Sequence, residues 1–333
     1  YTTPQTDGSV TYSGTSAAGC DSTATLNLTA VYTTAHAAYD VSAFPPFTWE
    51  TSGENGHGTG SDYSVAGSYT GPEYNDANGC PAHDTLHLTI RTGTPGALEG
   101  QFSVSASSKV VFSSGNLQYT TTGTHAVATG GTQPGTFRFA AHQYDMLGSA
   151  NTAISSSNTG WIDLFGYATS GWNNGATNYQ PYSTATTNYY EANINGTNAD
   201  WGVFNAISNG GNTPGQWRTL TKDEFEYMLN TRTGATSKRS FARINGVYGM
   251  IFLPDEWTLP AGCTFTAMTA SQDVGAATPN YTTNTYTLDQ WALMEENGAV
   301  FLPSMGYRSG SSYTAFSTTS SSYAYNGYWP STF

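Results

Sequence analysis

The sequence predicts a mostly β protein with a smaller α+β part, and three observations carry that reading. Near the N-terminus a stretch of alternating apolar and polar residues occurs twice at a fixed offset. Short strand-like runs are separated by clusters of Gly, Pro, Asn and Ser. In the C-terminal half two helix-start signatures stand ahead of apolar residues.

The repeat comes first along the chain. Gly19-Cys20 is followed by Thr25-Leu26-Asn27-Leu28-Thr29, and Gly79-Cys80 by Thr85-Leu86-His87-Leu88-Thr89. The shared pattern G-C-x4-T-L-x-L-T alternates with period 2, which marks a half-buried strand. A Tyr-Ser or Tyr-Thr strand lies upstream of each copy, around Tyr12 and Tyr69. Turn clusters at Pro45-Pro46, Gly53 to Gly60 and Asn75 to Gly79 divide the strands between. The pattern predicts a small antiparallel sandwich over residues 32–92, with residues 1–31 as the closing half of an earlier copy. A chain that opens in mid-repeat implies further copies ahead of it.

The Gly/Pro-rich stretch 93–100 reads as a linker. Beyond it, 101–333 reads as a second domain. Phe102-Ser-Val-Ser, Val110-Val-Phe and Leu117-Gln-Tyr are expected strands, and Thr136-Phe-Arg-Phe139 is expected to pair with them. Thr221-Lys-Asp-Glu224 is a capping box ahead of Phe225, Met228 and Leu229, with Arg232 in the last turn. Thr287-Leu-Asp-Gln290 is a second, ahead of Trp291 and Met294 and ended by Gly298. Long loops rich in aromatics and Asn lie between, notably 149–215, and loops of that length are kept for function or held by their own packing.

Composition limits what the chain does. Of 333 residues only 10% are charged, and the net charge is −13. Lysine occurs only at Lys109, Lys222 and Lys238, so no basic stripe for nucleic acid can be assembled. No apolar run approaches the roughly 20 residues that span a bilayer, so direct membrane insertion is not expected. Low charge with 23 Tyr and 8 Trp is the reverse of a disordered composition. It fits an exported protein with a hydroxyl-rich surface, extracellular or on the cell surface. Three cysteines, Cys20, Cys80 and Cys263, are too few and too dispersed for a disulfide scaffold or a zinc site.

Catalytic and metal motifs are scarce. His83 and His87 have the i, i+4 spacing of helical metal pairs. On a strand that spacing separates the two by about 13 Å, so no metal is expected. Phosphate-loop, nucleophile-elbow and EF-hand patterns are missing from the sequence. Gln180-Pro181 is followed by Tyr182, and Trp172-Asn173 by Asn174, so neither calcium motif of sugar-binding lectins is complete. No cofactor is expected. Trp161, Trp172, Trp201 and Trp217 are expected in the core rather than as a carbohydrate platform.

The segments GCDSTATLNLT and NGCPAHDTLHLTI, with Phe47-Thr-Trp49, resemble the tandem Ig-like repeats of large Bacteroidota surface adhesins. That resemblance implies a stalk. In those repeats a second cysteine precedes the strand that carries the Trp; here the region reads Ser42-Ala43-Phe44-Pro45, which leaves Cys80 unpaired. Asp21-Ser22-Thr23 and Asp84-Thr85-Leu86 resemble Bacteroidota O-glycosylation sites.

The C-terminal landmarks are Gly115-Asn-Leu-Gln-Tyr119, Trp161-Ile-Asp-Leu-Phe-Gly166 and Trp217-Arg-Thr-Leu-Thr-Lys-Asp-Glu224. They continue through Leu253-Pro-Asp255, Ala299-Val-Phe-Leu-Pro303 and Gly306-Tyr307-Arg308. In that order they resemble the formylglycine-generating-enzyme-like branch of the C-type lectin fold, and within it the variable proteins of diversity-generating retroelements. The resemblance implies a lectin-like head with two short helices and long loops. The family domain continues past the segment matched by Tyr328-Trp329-Pro330-Ser331 into a closing strand, so 101–333 is expected to stop short of it. True formylglycine-generating enzymes use paired cysteines late in the domain. Only Cys263 is available here, so the reading is not an enzyme.

Tyr307 to Phe333 contains one charge, Arg308, and no Leu, Ile, Val or Met. Its Tyr, Ser, Gly and Asn have the chemistry of antibody paratopes, and in the resembled family this is where variable residues cluster. Ser309, Tyr313, Phe316, Tyr323, Tyr325, Asn326 and Tyr328 are the expected contact residues, with Gly306, Tyr307, Arg308 and Trp329 as their scaffold. Alanine at Tyr313, Tyr323 and Tyr325 is expected to abolish binding with little change in melting temperature. The reading is an adhesin whose partner is a protein or glycan on another cell, phage or host surface. The alternative is a structural subunit of a fibre, pilus or phage tail.

Overall fold

The computed structural model describes residues 8–15, 19, 21–28, 37–43, 45–76, 81–90, 93–187, 190–268 and 280–316. Strand takes 30% and helix 14%, so the protein is mostly β with a small α part. The chain divides into two compact units, Tyr1–Thr92 and Gly93–Phe333.

In the first unit β1 (Gly8–Thr15) pairs antiparallel with β2 (Asp21–Leu28), Gly8 opposite Leu28 and Thr15 opposite Asp21. β3 (Ala38–Ala43), β6 (Gly67–Thr70) and β9 (Thr85–Ile90) form a sheet in the order β3-β9-β6. The two-residue strands β4 (Phe47–Thr48) and β5 (Asp62–Tyr63) pair with each other, as do β7 (Tyr74–Asn75) and β8 (Pro81–Ala82). β9 is the T-L-x-L-T segment, and its period-2 pattern is explicit: Leu86 and Leu88 are buried while His87 and Thr89 face outward. They share a core with Trp49, Val41, Phe47, Tyr63 and Tyr69.

One expectation for this unit is corrected. The sheet is not antiparallel throughout: β3 runs parallel to β9, Ala38 opposite Thr85 and Ala43 opposite Ile90. β3 and β9 stand at opposite ends of the repeat, and the intervening chain is long enough for the crossover that parallel pairing requires. In the Asp84-Thr85-Leu86 glycosylation pattern, Thr85 is half-buried between Asp84 and Leu86, which are 1% and 0% exposed. Cys20, Cys80 and the side chains of Asp21-Ser22-Thr23 lie outside the described residues.

Asp84 is a buried hub. One carboxylate oxygen accepts from the His57 backbone N–H at 2.8 Å and lies 3.1 Å from its ring Nδ1; the other accepts from the Tyr74 hydroxyl at 2.8 Å. The His57 and Tyr74 rings stack above it, centroids 3.9 Å apart. Burial pushes the carboxyl up, but the His57 and Tyr74 hydrogen bonds outweigh it and hold the carboxyl below its ordinary value. The sign follows: Asp84 contributes stability above its unfolded value of about 3.9 and loses it as pH falls through the lower folded value. Asp84→Ala is expected to cost about 2 kcal/mol, because the His57 N–H and the Tyr74 hydroxyl lose their bonds to a charged acceptor. Hydrogen-exchange protection in β9 checks this: it should fall on acidification in the wild type and be low at neutral pH in the variant.

The second unit opens with the stretch expected to be a linker, which instead packs as part of the domain. Leu98 joins the main core at 5% exposure, and Ala97 is buried beside it. Gly100 lies against the Gly298 backbone so closely that a Cβ has no room. β10 (Phe102–Ser103) pairs with β11 (Lys109–Val110). β12 (Leu117–Ala126) and β13 (Thr132–Phe139) form a separate hairpin with an irregularity between Thr120 and Thr124. The Thr136–Phe139 run therefore pairs with β12 alone among the strands expected for it.

The central sheet has the order β16-β14-β15-β17, from β14 (Arg239–Ile244), β15 (Val247–Phe252), β16 (Thr285–Tyr286) and β17 (Val300–Pro303). Asn245 and Gly246 both take positive φ, +47° and +82°, in the two-residue turn joining β14 to β15. That is the requirement of a type I′ hairpin. Successive residues feed opposite cores: Phe241, Met250, Phe252 and Val300 face one, and Ala242, Ile251, Leu253 and Phe301 the other.

Helices cover both faces. α1 (Trp201–Phe204) is a single turn capped by Asp200. α2 (Lys222–Glu226) carries a complete capping box from Thr221 and Glu224, then runs on as a wider turn through Thr231 that places Met228 in the first core. α3 (Leu288–Glu296) has the same box from Thr287 and Gln290 and sets Trp291 and Met294 into the second. Gly298, at φ +87°, ends it.

Candidate ligand-binding surface

After β17 the chain turns into a short hairpin, β18 (Tyr307–Ser309) and β19 (Ser312–Thr314), with Arg308 opposite Tyr313. Gly310 takes φ +59° at the first position of its two-residue turn, where glycine meets the need of a Gly-X hairpin loop. Gly306, φ +76°, leads in, and a Cβ there would strike the Thr314 carbonyl oxygen.

Arg308 fixes the hairpin to the long loop region. Its Nε donates to the Leu164 carbonyl at 3.0 Å, and one Nη donates to the carbonyls of Ser183 at 3.0 Å and Gly310 at 2.6 Å. Burial lowers its pKa, and the bonds it makes go to carbonyl dipoles. The Leu164 carbonyl is itself held in place. The buried Asn151 accepts from the N–H groups of Asp163 and Leu164, both at 3.0 Å, and donates to Asp163 at 2.8 Å. Asp163 also accepts from the Leu147 N–H at 2.8 Å, and burial pushes its carboxyl up. These supporting residues are widely separated in sequence; the Trp161–Gly166 landmark is the signal that covers two of them.

The expected contact residues divide. Ser309 is exposed. Tyr313 is half-buried, donates to the Met305 carbonyl at 3.0 Å, and has its hydroxyl pKa raised by burial and by the nearby Asp163. Phe316 packs its ring 5.5 Å from Tyr281 and 6.0 Å from Tyr248, against the main core. Tyr323, Tyr325, Asn326 and Tyr328 lie outside the described residues, as does Trp329.

Three placements differ from the expectation, Phe316 against the core being the first. Tyr307, expected as scaffold, is 44% exposed. Tyr313, expected as a contact residue, is half-buried and bonded to the Met305 carbonyl, because the strand alternation that turns Arg308 inward turns its partner Tyr313 with it. Tyr313→Ala is expected to lower the melting temperature, against the earlier expectation; Tyr313→Phe, losing one hydrogen bond, should cost about 1 kcal/mol.

Elsewhere the tryptophans serve packing. Trp217 and Trp201 flank the core around Phe137 and Phe139, and Trp172 packs with Tyr190 against Ala168 and Ile194. Trp161 lies under the Arg138 guanidinium, 3.7 Å from carbon to ring centre. His83 and His87 do not converge: His83 meets the Gly71 carbonyl, and His87 meets Ser68. Among the described residues no cluster of three His, Cys, Asp or Glu is placed to hold a metal ion, and no helix is long and apolar enough to cross a membrane. Cys263 is buried in the second core with its Sγ 3.5 Å from the Gln290 carbonyl. No protein-family model, curated protein sequence or solved structure matches the chain.

Proposed function

We propose that this chain is a non-catalytic extracellular binding protein of the adhesin kind. Ig-like sandwich repeats act as its stalk, and a C-type-lectin-like head contacts a protein or glycan on another surface through the 306–316 hairpin and the segment that follows. The observation that carries this reading is where the hairpin keeps its charge. Arg308, its one charged side chain, is turned into the molecule onto three carbonyls. Tyr307, Ser309, Ser311 and Ser312 remain outward. An uncharged tyrosine and serine surface on a fixed backbone gives contact area and adaptable hydrogen bonds at low ordering cost.

The stalk reading draws support from one core shared by β3, β4, β5, β6 and β9. The head reading draws on two boxed helices set on a four-stranded sheet. Low charge and a hydroxyl-rich composition favour an exported protein.

The test uses fluorescent full-length chain on intact bacterial and epithelial cells, read by flow cytometry. Cells treated with protease or with periodate separate a protein partner from a glycan. Ser309→Glu with Ser311→Glu is expected to leave the melting temperature unchanged, since both side chains are exposed. It should weaken binding at least tenfold, about 1.4 kcal/mol, because a charge is then desolvated without a partner. Equal binding by this variant would remove the hairpin from the contact surface.

A further inference from the structure

We propose that the cleft between the segment 110–117, which connects β11 to β12, and the segment 216–225 is a second binding site, for a small, uncharged, largely apolar molecule. It encloses about 540 Å³, within the size range of ligand sites. No residue of the 306–316 hairpin lines it, so the proposal does not rest on the reading of that hairpin.

The walls are apolar and fixed. Phe112, Leu117, Phe139, Trp217, Leu220 and Phe225 line the interior. Trp217 is locked: its indole N–H donates to the Gly210 carbonyl at 2.9 Å, and its ring meets Phe139 edge-on at 4.7 Å. A Cβ on Gly210 would come 2.7 Å from the indole nitrogen, and one on Gly202 would come 2.6 Å from the Trp217 carbonyl oxygen. Both glycines are thus required for the wall to stand where it does. A preformed wall loses little entropy when a ligand arrives.

Charge determines the class of occupant. Lys109 is paired with Asp255 at 3.3 Å, and the Arg218 fork holds both Glu224 oxygens at 2.6 Å. Asp200, at 0% exposure, is taken up by the N–H groups of Gly202 and Thr219. Each charged side chain at the cleft is already neutralised or hydrogen-bonded within the protein. A charged ligand would be desolvated there without a counter-charge. Gln101 and Gln216, both exposed, bring neutral amides to the lining, which suits one uncharged polar end such as a hydroxyl.

The experiment titrates the full chain with the neutral dye N-phenyl-1-naphthylamine and follows its emission and the energy transfer from tryptophan. Saturable binding at one site per chain is expected. 1-Decanol should displace the dye at least tenfold more effectively than decanoate or decylammonium. Leu220→Trp and, on the facing wall, Val110→Phe fill the cleft and should each weaken dye binding at least tenfold. Absence of saturable binding, equal displacement by all three competitors, or unaltered affinity in a folded filled variant overturns the proposal. If neither variant folds, the competition on the wild type still decides.

Discussion

Asp255→Ala is expected to destabilise the second unit by about 3–5 kcal/mol, the range for breaking a buried ion pair by removing one partner. Asp255 joins three separated parts of this unit. One oxygen accepts from the Ser103 hydroxyl at 2.6 Å and the Ser103 N–H at 3.0 Å, with the Lys109 ammonium at 3.3 Å. The other accepts from Arg232 at 3.3 Å. Arg232 is 3% exposed, donates to the carbonyls of Met228 and Leu253 at 3.0 and 2.9 Å, and lies over the Phe102 ring. Without Asp255 the guanidinium keeps its charge and loses its counter-ion in a buried site. Arg232→Met with Asp255→Leu should recover much of the loss, since an apolar pair carries no desolvation penalty.

The pH dependence of this pair has a definite sign. Burial raises the Asp255 carboxyl, but its bonds to Ser103, Lys109 and Arg232 outweigh burial and hold it below the ordinary value. Its contribution is therefore present above about pH 3.9 and is lost as pH falls through the lower folded value. Seven of the eight tryptophans belong to the second unit and only Trp49 to the first, so tryptophan emission reports mainly this transition. Thermal unfolding at pH 7 should shift down by about 10 °C in Asp255→Ala. A shift under about 2 °C would place the pair outside the stabilising network.

What the sequence made legible was local. Both capping boxes formed as their four-residue patterns required, because an N-cap side chain and its N3 partner need nothing beyond one turn. The T-L-x-L-T strand was readable because one face of β9 is buried and the other is not. Residues 239–252 show the opposite case. Their burial on both faces erases the alternation, and only Asn245-Gly246, flanked by Ile244 and Val247, marks the hairpin. The parallel pairing of β3 with β9 was not readable, because partner choice across the length of a repeat leaves no local trace. Residues 93–100 misled for a related reason: a Gly/Pro-rich composition is shared by tethers and by tight packing, and Gly100 is glycine because the Gly298 backbone lies against it.

The candidate surface divides along the same line. Its uncharged alphabet was visible in sequence, and so was the singularity of Arg308. Which side chains face outward was not, since that depends on a two-residue turn and on the Arg308–Tyr313 register. Strand geometry makes the consequence specific: residues 307, 309 and 312 lie on the outward face while 308 and 313 share the inward one.

Arg308→Ala is accordingly expected to release the hairpin, at a cost of about 3 kcal/mol for carbonyls left without a donor. Three acceptors, Leu164, Ser183 and Gly310, depend on one guanidinium, and alanine can replace none of its bonds. Arg308→Lys should fall between, because an ammonium has the charge but not the planar fork that reaches three carbonyls in different directions. Since burial is what lowers the Arg308 pKa and an arginine stays charged at any ordinary pH, this contribution is flat between pH 5 and 9. That separates it from the acid-sensitive Asp255 network. Hydrogen exchange at the amides of Tyr307 to Thr314 is the direct measurement. Loss of protection confined to this hairpin, with β14 and β15 still protected, identifies Arg308 as its anchor; unchanged protection there would mean that the hairpin is held by Tyr313 and the β18–β19 pairing without it. Cell binding measured on the same variants links the anchor to function: if a fixed surface is what a partner recognises, affinity should fall in the order wild type, lysine, alanine while Ser309 and Tyr307 are untouched.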